Sequence, residues 1–484
     1  MEKTKPEVVA SGTRAEKSYY IKTFGCQMNM HDTDRMSALL AERGFAASPE
    51  PEKADLVIFN TCSIRDKSEQ KAYSAMGLLK KGGKKKNPNL VIGFTGCVAQ
   101  QDREEVFAGA PHLDFVLGTD SIDQLPEVLF RVESGEKKVM QVGFDPANDY
   151  SLETKVVPGR AQAFVNIMKG CDNFCTYCIV PFTRGREKSR RLEEVVQDVK
   201  RLVLGGVVEV TLLGQNVNSY GKSLGGKCSG QTFPALLRAL QAMADDMDDR
   251  GITDSSGRSG SGKPRGLLRI RYTTSHPKDF DDEMIACHAE LSRLVPHLHL
   301  PVQSGSGKVL KKMKRYVPIE AYIGRLEKLR ERVPSIAIST DIIVGFPGED
   351  DKDFDATMEL LRRVQYDFVF AYTYSPRPGT AALALGDPVP EQVKRERLAR
   401  LNDMQAEIQR AQHKAMEGQI FDVLVEGPSK TNPEFACGRT LTWKNINFSL
   451  PNGIGSPADL EGRIVPVRVT ESNAYGIKGE PSLL

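Results

Sequence analysis

The segment from Gly170 to Gly185 reads GCDNFCTYCIVPFTRG and places Cys171, Cys175 and Cys178 at a C-x3-C-x2-C spacing. Thiolates hold iron–sulfur clusters, and a cubane cluster has four irons to satisfy. Three cysteines in one loop leave one iron open to a small molecule. A structural zinc site would want a fourth ligand, commonly from a second, separated pair, and no His or Cys pair follows at that spacing. A second trio is spread through the first hundred residues: Cys26, Cys62 and Cys97, in KTFGCQMN, IFNTCSIR and GFTGCVAQ. Each follows an apolar, strand-length run. In a parallel sheet all strand C-termini point to one edge, so residues far apart in sequence meet there. Structural cysteines would more naturally lie inside the strands, so this placement favours a metal or cluster site. Cys228, Cys287 and Cys437 have no partner spacing and read as structural.

The elements that must position these residues come in three series. From Tyr19 to about residue 150, the runs YYIKTF, ADLVIFN, NLVIGFT and LDFVLG alternate with helical stretches such as Asp32–Arg43 and Glu69–Lys81. Such alternation implies right-handed crossovers and a parallel sheet buried on both faces. A second series supplies AFVNIM, VVEVTLL, LLRIRYT, HLHLPV, AISTDIIVG and FVFAYTY, separated by helices over Leu192–Leu204, Phe233–Ala244, Ile319–Arg332 and Asp353–Val364. Six βα units predict a partial barrel, with the first cysteine loop at the C-terminal end of a strand, where α/β barrels place their chemistry. The Gly/Ser-rich, mixed-charge stretch 245–266 is expected to be a mobile insertion. One charged helix over 391–417 leads into a final all-β segment, which fits a small closed barrel.

The C-x3-C-x2-C loop, with Tyr177 just before its last cysteine, resembles the signature of the radical S-adenosylmethionine (SAM) superfamily. The resemblance implies that the open iron binds SAM, and that one electron cleaves it to methionine and a 5′-deoxyadenosyl radical. Adding the second trio, the chain from Tyr19 onward resembles the methylthiotransferase family. That family joins a flavodoxin-like parallel-sheet domain, a partial (β/α)6 radical-SAM barrel and a TRAM barrel. Further matching stretches are LLGQNVNSY, TTSHP, HLPVQSGS, TDIIVGFPGE and YSPRPGT. The expected domains are a tail over 1–18, a cluster-binding domain over 19–150, the radical-SAM domain over 156–395 and TRAM over 418–484.

The stretches IVPFTRGREKSR and LLGQNVNSY are most similar to the tRNA-modifying branch, which adds a methylthio group to C2 of N6-dimethylallyladenosine at position 37. The resemblance implies two [4Fe–4S] clusters, one on each cysteine trio, and two SAM molecules, one as methyl donor and one as radical source. SAM contacts are expected at Tyr177, Gln215, Asn216, Gln303, Ser304 and Asp341. RNA contacts are expected at Arg184, Arg186, Arg190, Lys430, Arg439, Trp443 and Lys444, because a splayed single-stranded loop needs a basic, aromatic clamp. Partners are then a tRNA anticodon loop, an electron donor and a sulfur source. Rival readings are methylthiolation of threonylcarbamoyl-adenosine in tRNA, methylthiolation of a ribosomal-protein aspartate, and a non-catalytic cluster carrier.

Composition agrees with these classes without selecting among them. The chain has 484 residues, 40% hydrophobic and 27% charged, with a net charge of +3. That is ordinary for a globular protein and does not announce a nucleic-acid binder. Residues 418–484 hold six Lys/Arg and seven Asp/Glu, so the terminal barrel is not net basic. The lysines between Lys80 and Lys86 read equally well as a solvated face. No apolar run is long enough to span a bilayer, and the polar start lacks a signal-peptide core. A cytoplasmic monomer is expected.

Overall fold

Strand-length runs of Val, Ile and Phe with no polar alternation require cover on both faces; Leu56–Thr61, Val91–Gly96 and Glu209–Leu213 obtain it, whereas Phe368–Thr373 leaves Phe368 and Phe370 exposed. The structure is a computed structural model that describes residues 17–63, 70–77, 79, 87, 89–144, 153–154, 159–253, 266–451 and 453–482. It divides into two compact units, 1–150 and 151–484. Residues 1–16 of the expected tail, the lysines Lys80–Lys86 and residues 254–265 of the expected insertion lie outside the described residues, whereas Ser18, placed in the tail, opens the first strand.

The first unit is a six-stranded, fully parallel sheet of β1 (Ser18–Thr23), β2 (Ala46–Ala47), β3 (Leu56–Thr61), β4 (Val91–Gly96), β5 (Phe115–Leu117) and β6 (Val139–Gln141). Their order is β2-β1-β3-β4-β5-β6. Every residue of β3 is buried, and Val57, Phe59, Ile92, Phe94 and Val116 form one core with the flanking helices. Gly93 is a glycine because the Phe115 ring fills the place of its side chain, 2.0 Å from where a Cβ would sit. The edge strands β2 and β6 are two and three residues long and give no periodic signal in the sequence.

The second unit carries six parallel strands in two three-stranded sheets: β7 (Gln162–Asn166), β10 (Glu209–Leu213) and β11 (Arg269–Tyr272), then β12 (His297–His299), β13 (Ala337–Val344) and β14 (Phe368–Thr373). A bridge between Ile270 and Leu294 links the two halves. The short antiparallel pair β8 (Met168–Lys169) and β9 (Lys188–Ser189) folds the cysteine loop back on itself. Val195, Val199 and Leu202 lie on one face of the helix Leu192–Leu204 and enter the common core with β7 and β10.

The helix beginning at Phe233, capped by Thr232, continues to Asp249, five residues past the expected end. Its acidic last turn is neutralised by Arg293, which meets Asp245 and Asp248 at 2.9 Å each. The mobile stretch predicted from residue 245 therefore starts as ordered helix.

The helix Glu391–Lys414 leads to a closed five-stranded barrel of β15 (Ile420–Pro428), β16 (Ala436–Arg439), β17 (Asn445–Phe448), β18 (Ile464–Ser472) and β19 (Ile477–Pro481). Two fully buried arginines of β11 fasten it to the six-stranded barrel. Arg269 donates to the carbonyls of Arg439 and Asp422 (2.8 and 3.1 Å), and Arg271 to those of Leu441 and Thr440 (3.1 and 3.0 Å). Glu209 on β10 balances this pair, 2.9 Å from Arg271. Burial still pulls both guanidiniums down, Arg269 to about 10.

Candidate cluster sites

In the first unit the neighbours β1, β3 and β4 end side by side, and each end carries a cysteine. Cys26 caps the helix Gln27–Glu42, Cys62 follows β3, and Cys97 opens the helix Cys97–Asp102. Two glycines let these ends converge. Gly25 (φ +116°) has Cys62 where its side chain would be, 2.3 Å to Cβ and 2.9 Å to Sγ. Gly96 (φ +96°) lies against the end of β3, with the Thr61 carbonyl at 2.2 Å from its missing Cβ.

Beneath them, the buried side chains of Asn29 and Asn60 clamp the edge. Asn29 Nδ2 donates to Asn60 Oδ1 and to the Thr61 carbonyl (3.0 and 2.8 Å), and Asn60 Nδ2 returns a bond to the Asn29 carbonyl (2.8 Å). Cys26 Sγ donates to Asn29 Oδ1 at 3.3 Å.

In the second unit the loop after β8 holds Cys171 and Cys175 buried and Cys178 half-buried. Gly170 (φ +74°) lets the returning chain pass, the Arg186 carbonyl lying 2.0 Å from its missing Cβ, and Cys171 N–H bonds to the Gly185 carbonyl. Thr176 is stitched to the turn after the helix Gly307–Lys312: its N–H donates to the Met313 carbonyl and its hydroxyl to that of Lys312 (3.2 and 2.9 Å). Burial pushes the Cys171 and Cys178 thiols up, Cys178 to about 12, and Cys175 faces both closely enough to add to the rise.

Among the described residues, no three His, Cys, Asp or Glu side chains converge tightly enough to hold one metal ion. A single zinc would draw its thiolates to within about 4 Å of one another, given bonds near 2.3 Å. The first trio is instead spread over three adjacent strand ends, with neighbouring strands about 4.8 Å apart. Three thiol donors on adjacent strand ends, and three more in one loop, are the donor chemistry that iron–sulfur clusters take, so the residues fit such a cluster.

The expected SAM contacts fall into two groups. Tyr177 packs edge-on against Phe346, and burial raises its hydroxyl well above the usual range, with Cys175, Cys178 and Asp341 facing it. Asp341, on β13, lies 3.6 Å from His299 Nε2. These two are beside the cysteine loop. Gln215 leaves Oε1 buried without a hydrogen-bond partner, which a ligand's donor would satisfy. Asn216, by contrast, ties two loops together, donating to Asp279 (2.7 Å) and accepting from His276 N–H (3.0 Å). Ser304 turns toward Thr357 and Ser306, and Gln303 (φ +79°) pairs by its backbone with β13. In TDIIVGFPGE the glycines make room for protein: a side chain at Gly345 would strike the stem of Lys394, and one at Gly348 the ammonium of Lys312. Glu349 there is paired with Arg397 at 2.8 Å.

The expected RNA contacts divide likewise. Arg186 is exposed beside the cysteine loop, 2.7 Å from Asp172 and over the Phe174 ring at 5.3 Å. Lys430 is exposed on the terminal barrel. Arg184 is buried, and Arg190 spans Asn166 and Asp198. Arg439, Trp443 and Lys444 are engaged where the two barrels of this unit meet. The Trp443 ring has the Arg271 and Arg439 guanidiniums at 4.6 and 4.1 Å and lies along His297, and Lys444 pairs with Asp367 at 2.7 Å.

One residue was not anticipated. Arg315, in the charged run KKMKRY, is 6% exposed and lies 3.7 Å from Cys175 Sγ.

Residues 18–118 match the model described as uncharacterized protein family UPF0004, 165–361 the radical SAM superfamily and 414–481 the TRAM domain. A tRNA-2-methylthio-N(6)-dimethylallyladenosine synthase of Carboxydothermus hydrogenoformans is 44% identical, over 96% of this chain and 99% of its own. The chain belongs to this family. A synthase of the same name from Syntrophus aciditrophicus is 41% identical over 96% and 94% of the two chains. Among solved structures, a radical SAM methyltransferase from Kitasatospora setae shares the fold, with a TM-score of 0.54 at 13% identity over 92% of this chain and 82% of that one. As a radical SAM family member the protein is an enzyme that uses a [4Fe–4S] cluster and SAM. No helix among the described residues is long and apolar enough to cross a membrane.

Proposed function

We propose that this chain methylthiolates C2 of N6-dimethylallyladenosine at position 37 of tRNA, using two [4Fe–4S] clusters. The observation that supports this best is the second cysteine trio, on the adjacent ends of β1, β3 and β4, in addition to the radical-SAM loop. Cys171, Cys175 and Cys178 would hold the radical-generating cluster, and Cys26, Cys62 and Cys97 the sulfur-delivering one. When bound, these groups supply one-electron cleavage of SAM and a methylated sulfur for transfer.

The chain's own residues orient and shield. Tyr177, Gln215 and Asp341 face the bound SAM, while Asn216, Gln303 and Ser304 shape the loops around it. Burial of the cysteine loop keeps water from a reactive radical. Arg186 and Lys430 are the exposed cations suited to phosphate contact. Arg184, Arg190, Arg439, Trp443 and Lys444 serve RNA by holding those surfaces in place. The boundaries 19–150, 156–395 and 418–484 are proposed for the three domains, in a cytoplasmic monomer supplied by a separate electron donor and sulfur source.

Anaerobically reconstituted protein, given reductant, SAM and an anticodon stem-loop carrying dimethylallyladenosine, should yield the 2-methylthio nucleoside and 5′-deoxyadenosine by mass spectrometry. A stem-loop carrying threonylcarbamoyl-adenosine should yield no methylthio product. Product from the second RNA alone would transfer the assignment to that branch.

A further inference from the structure

Arg315 is a buried cation whose counter-charge must be sought. Its guanidinium reaches two elements: Nη1 lies 3.7 Å from Cys175 Sγ, and Nη2 donates to the Pro301 carbonyl in the segment after β12. Among the described residues it forms no ion pair with a carboxylate. The groups that face it are Tyr177, Cys175 and Cys178 on the cysteine loop, with neutral His276 opposite, whose pKa is pushed down to about 3 by burial and then by Arg315. The same turn, Lys312 to Arg315, also grips Thr176 through two hydrogen bonds. A guanidinium stripped of water with no anion is costly, so a native structure places one only where an anion will be. Among the described residues that face it, the thiolates of Cys175 and Cys178 and what they hold are the candidates.

We propose that Arg315 is a positioning residue for the radical-generating cluster, donating a charge-assisted N–H···S bond to the Cys175 thiolate and raising the cluster's reduction potential. This rests on the reading that Cys171, Cys175 and Cys178 bind that cluster. Reduction adds one negative charge to a site already carrying three thiolates. A fixed cation and a hydrogen bond to sulfur both favour the reduced state, and hydrogen bonds to the sulfurs are among the features that set such potentials. Cys171 receives a neutral counterpart, from Asn173 Nδ2 at 3.4 Å. Cys175 thus has the only charged donor aimed at this loop's sulfurs among the described contacts.

The test uses the full chain in a Cys62→Ala background, so that one cluster gives the signal, with iron and sulfide counted before each titration. Arg315→Gln should bind its cluster yet lower the reduced-to-oxidised ratio at least tenfold at a fixed potential. For a one-electron couple that is a shift of about 59 mV to the negative. Arg315→Lys, which keeps the charge and loses the fork, should recover part of the shift. An unchanged midpoint in loaded Arg315→Gln protein overturns the proposal. Should the Gln variant not load, the Lys variant decides: a lowered midpoint supports the role and an unchanged one overturns it. Absence of any cluster from the Cys62→Ala protein with Arg315 intact would instead refute the site reading beneath it.

Discussion

Alanine at Gly25 should abolish the first cluster without unfolding the sheet. At φ +116° its new Cβ would stand 2.3 Å from Cys62 Cβ and 2.9 Å from Sγ, more than an ångström inside ordinary contact at the nearer atom. The nearer obstacle, Cβ, is fixed by the Cys62 backbone and cannot rotate away. The left-handed backbone adds about 1–2 kcal/mol, and overpacking typically costs about 1–3 kcal/mol. A domain with roughly 5–15 kcal/mol of stability survives that, but Cys62 must retreat from Cys26. Gly44 isolates the backbone contribution, since it has φ +80° and nothing within 4 Å of the place an added Cβ would take. After anaerobic reconstitution, Gly25→Ala protein should hold half the iron and sulfide of wild type. It should still cleave SAM to 5′-deoxyadenosine and make no methylthio product, whereas Gly44→Ala should match wild type in all three. Full iron content and normal product from Gly25→Ala would show that the strand ends do not converge on one site.

Three further outcomes are expected. Cys62→Ala should leave 5′-deoxyadenosine formation measurable while eliminating methylthio product, and joint loss of both would mean that the two cysteine trios do not act separately. Arg271→Leu removes the 2.9 Å ion pair of buried Glu209, which keeps Gln162 at 2.9 Å and Arg269 at 3.9 Å, and takes one donor from each of the Thr440 and Leu441 carbonyls, a loss of about 3 kcal/mol. Its melting temperature should fall and protease should release the C-terminal barrel; an unchanged melt would contradict the docking role. His288, hydrogen-bonded to Tyr272 at 2.7 Å, is held down to about 4 by burial. The unfolded chain, with a histidine pKa near ~6.5, binds this proton first, so stability is complete above that pH and declines toward pH 4, by up to about 1.4 kcal/mol per unit. Urea midpoints at pH 7 and pH 5 should converge in His288→Asn relative to wild type, and equal differences in both proteins would remove the assignment.

The alternation of apolar runs with helical stretches made the parallel sheet and the six-unit barrel legible, because strands buried on both faces must be continuously apolar. Edge strands of two or three residues left no such pattern. The cysteine spacing identified which residues carry chemistry, but only the fold shows how Gly25 and Gly96 bring three strand ends together. Arg315 was hidden in KKMKRY, where four cations suggest a solvated surface; that three are outside and one inside is a tertiary fact. Trp443 and Lys444 looked available for RNA for the same reason, since nothing local announces His297, Arg271 and Asp367 as their partners. The acidic run from Asp245 looked unable to order, because its neutralising cation, Arg293, is more than forty residues away.

The fastening of the terminal barrel has a consequence for how the chain is made. Arg269 and Arg271 must find the carbonyls of Asp422, Arg439, Thr440 and Leu441, which are synthesised some 150 residues later. At roughly 5–20 residues per second, those two charges wait on the order of ten seconds for their acceptors. Until then Glu209, made earlier, is the partner that these two charges have. The barrel of β15 to β19 then supplies the acceptors that complete their burial.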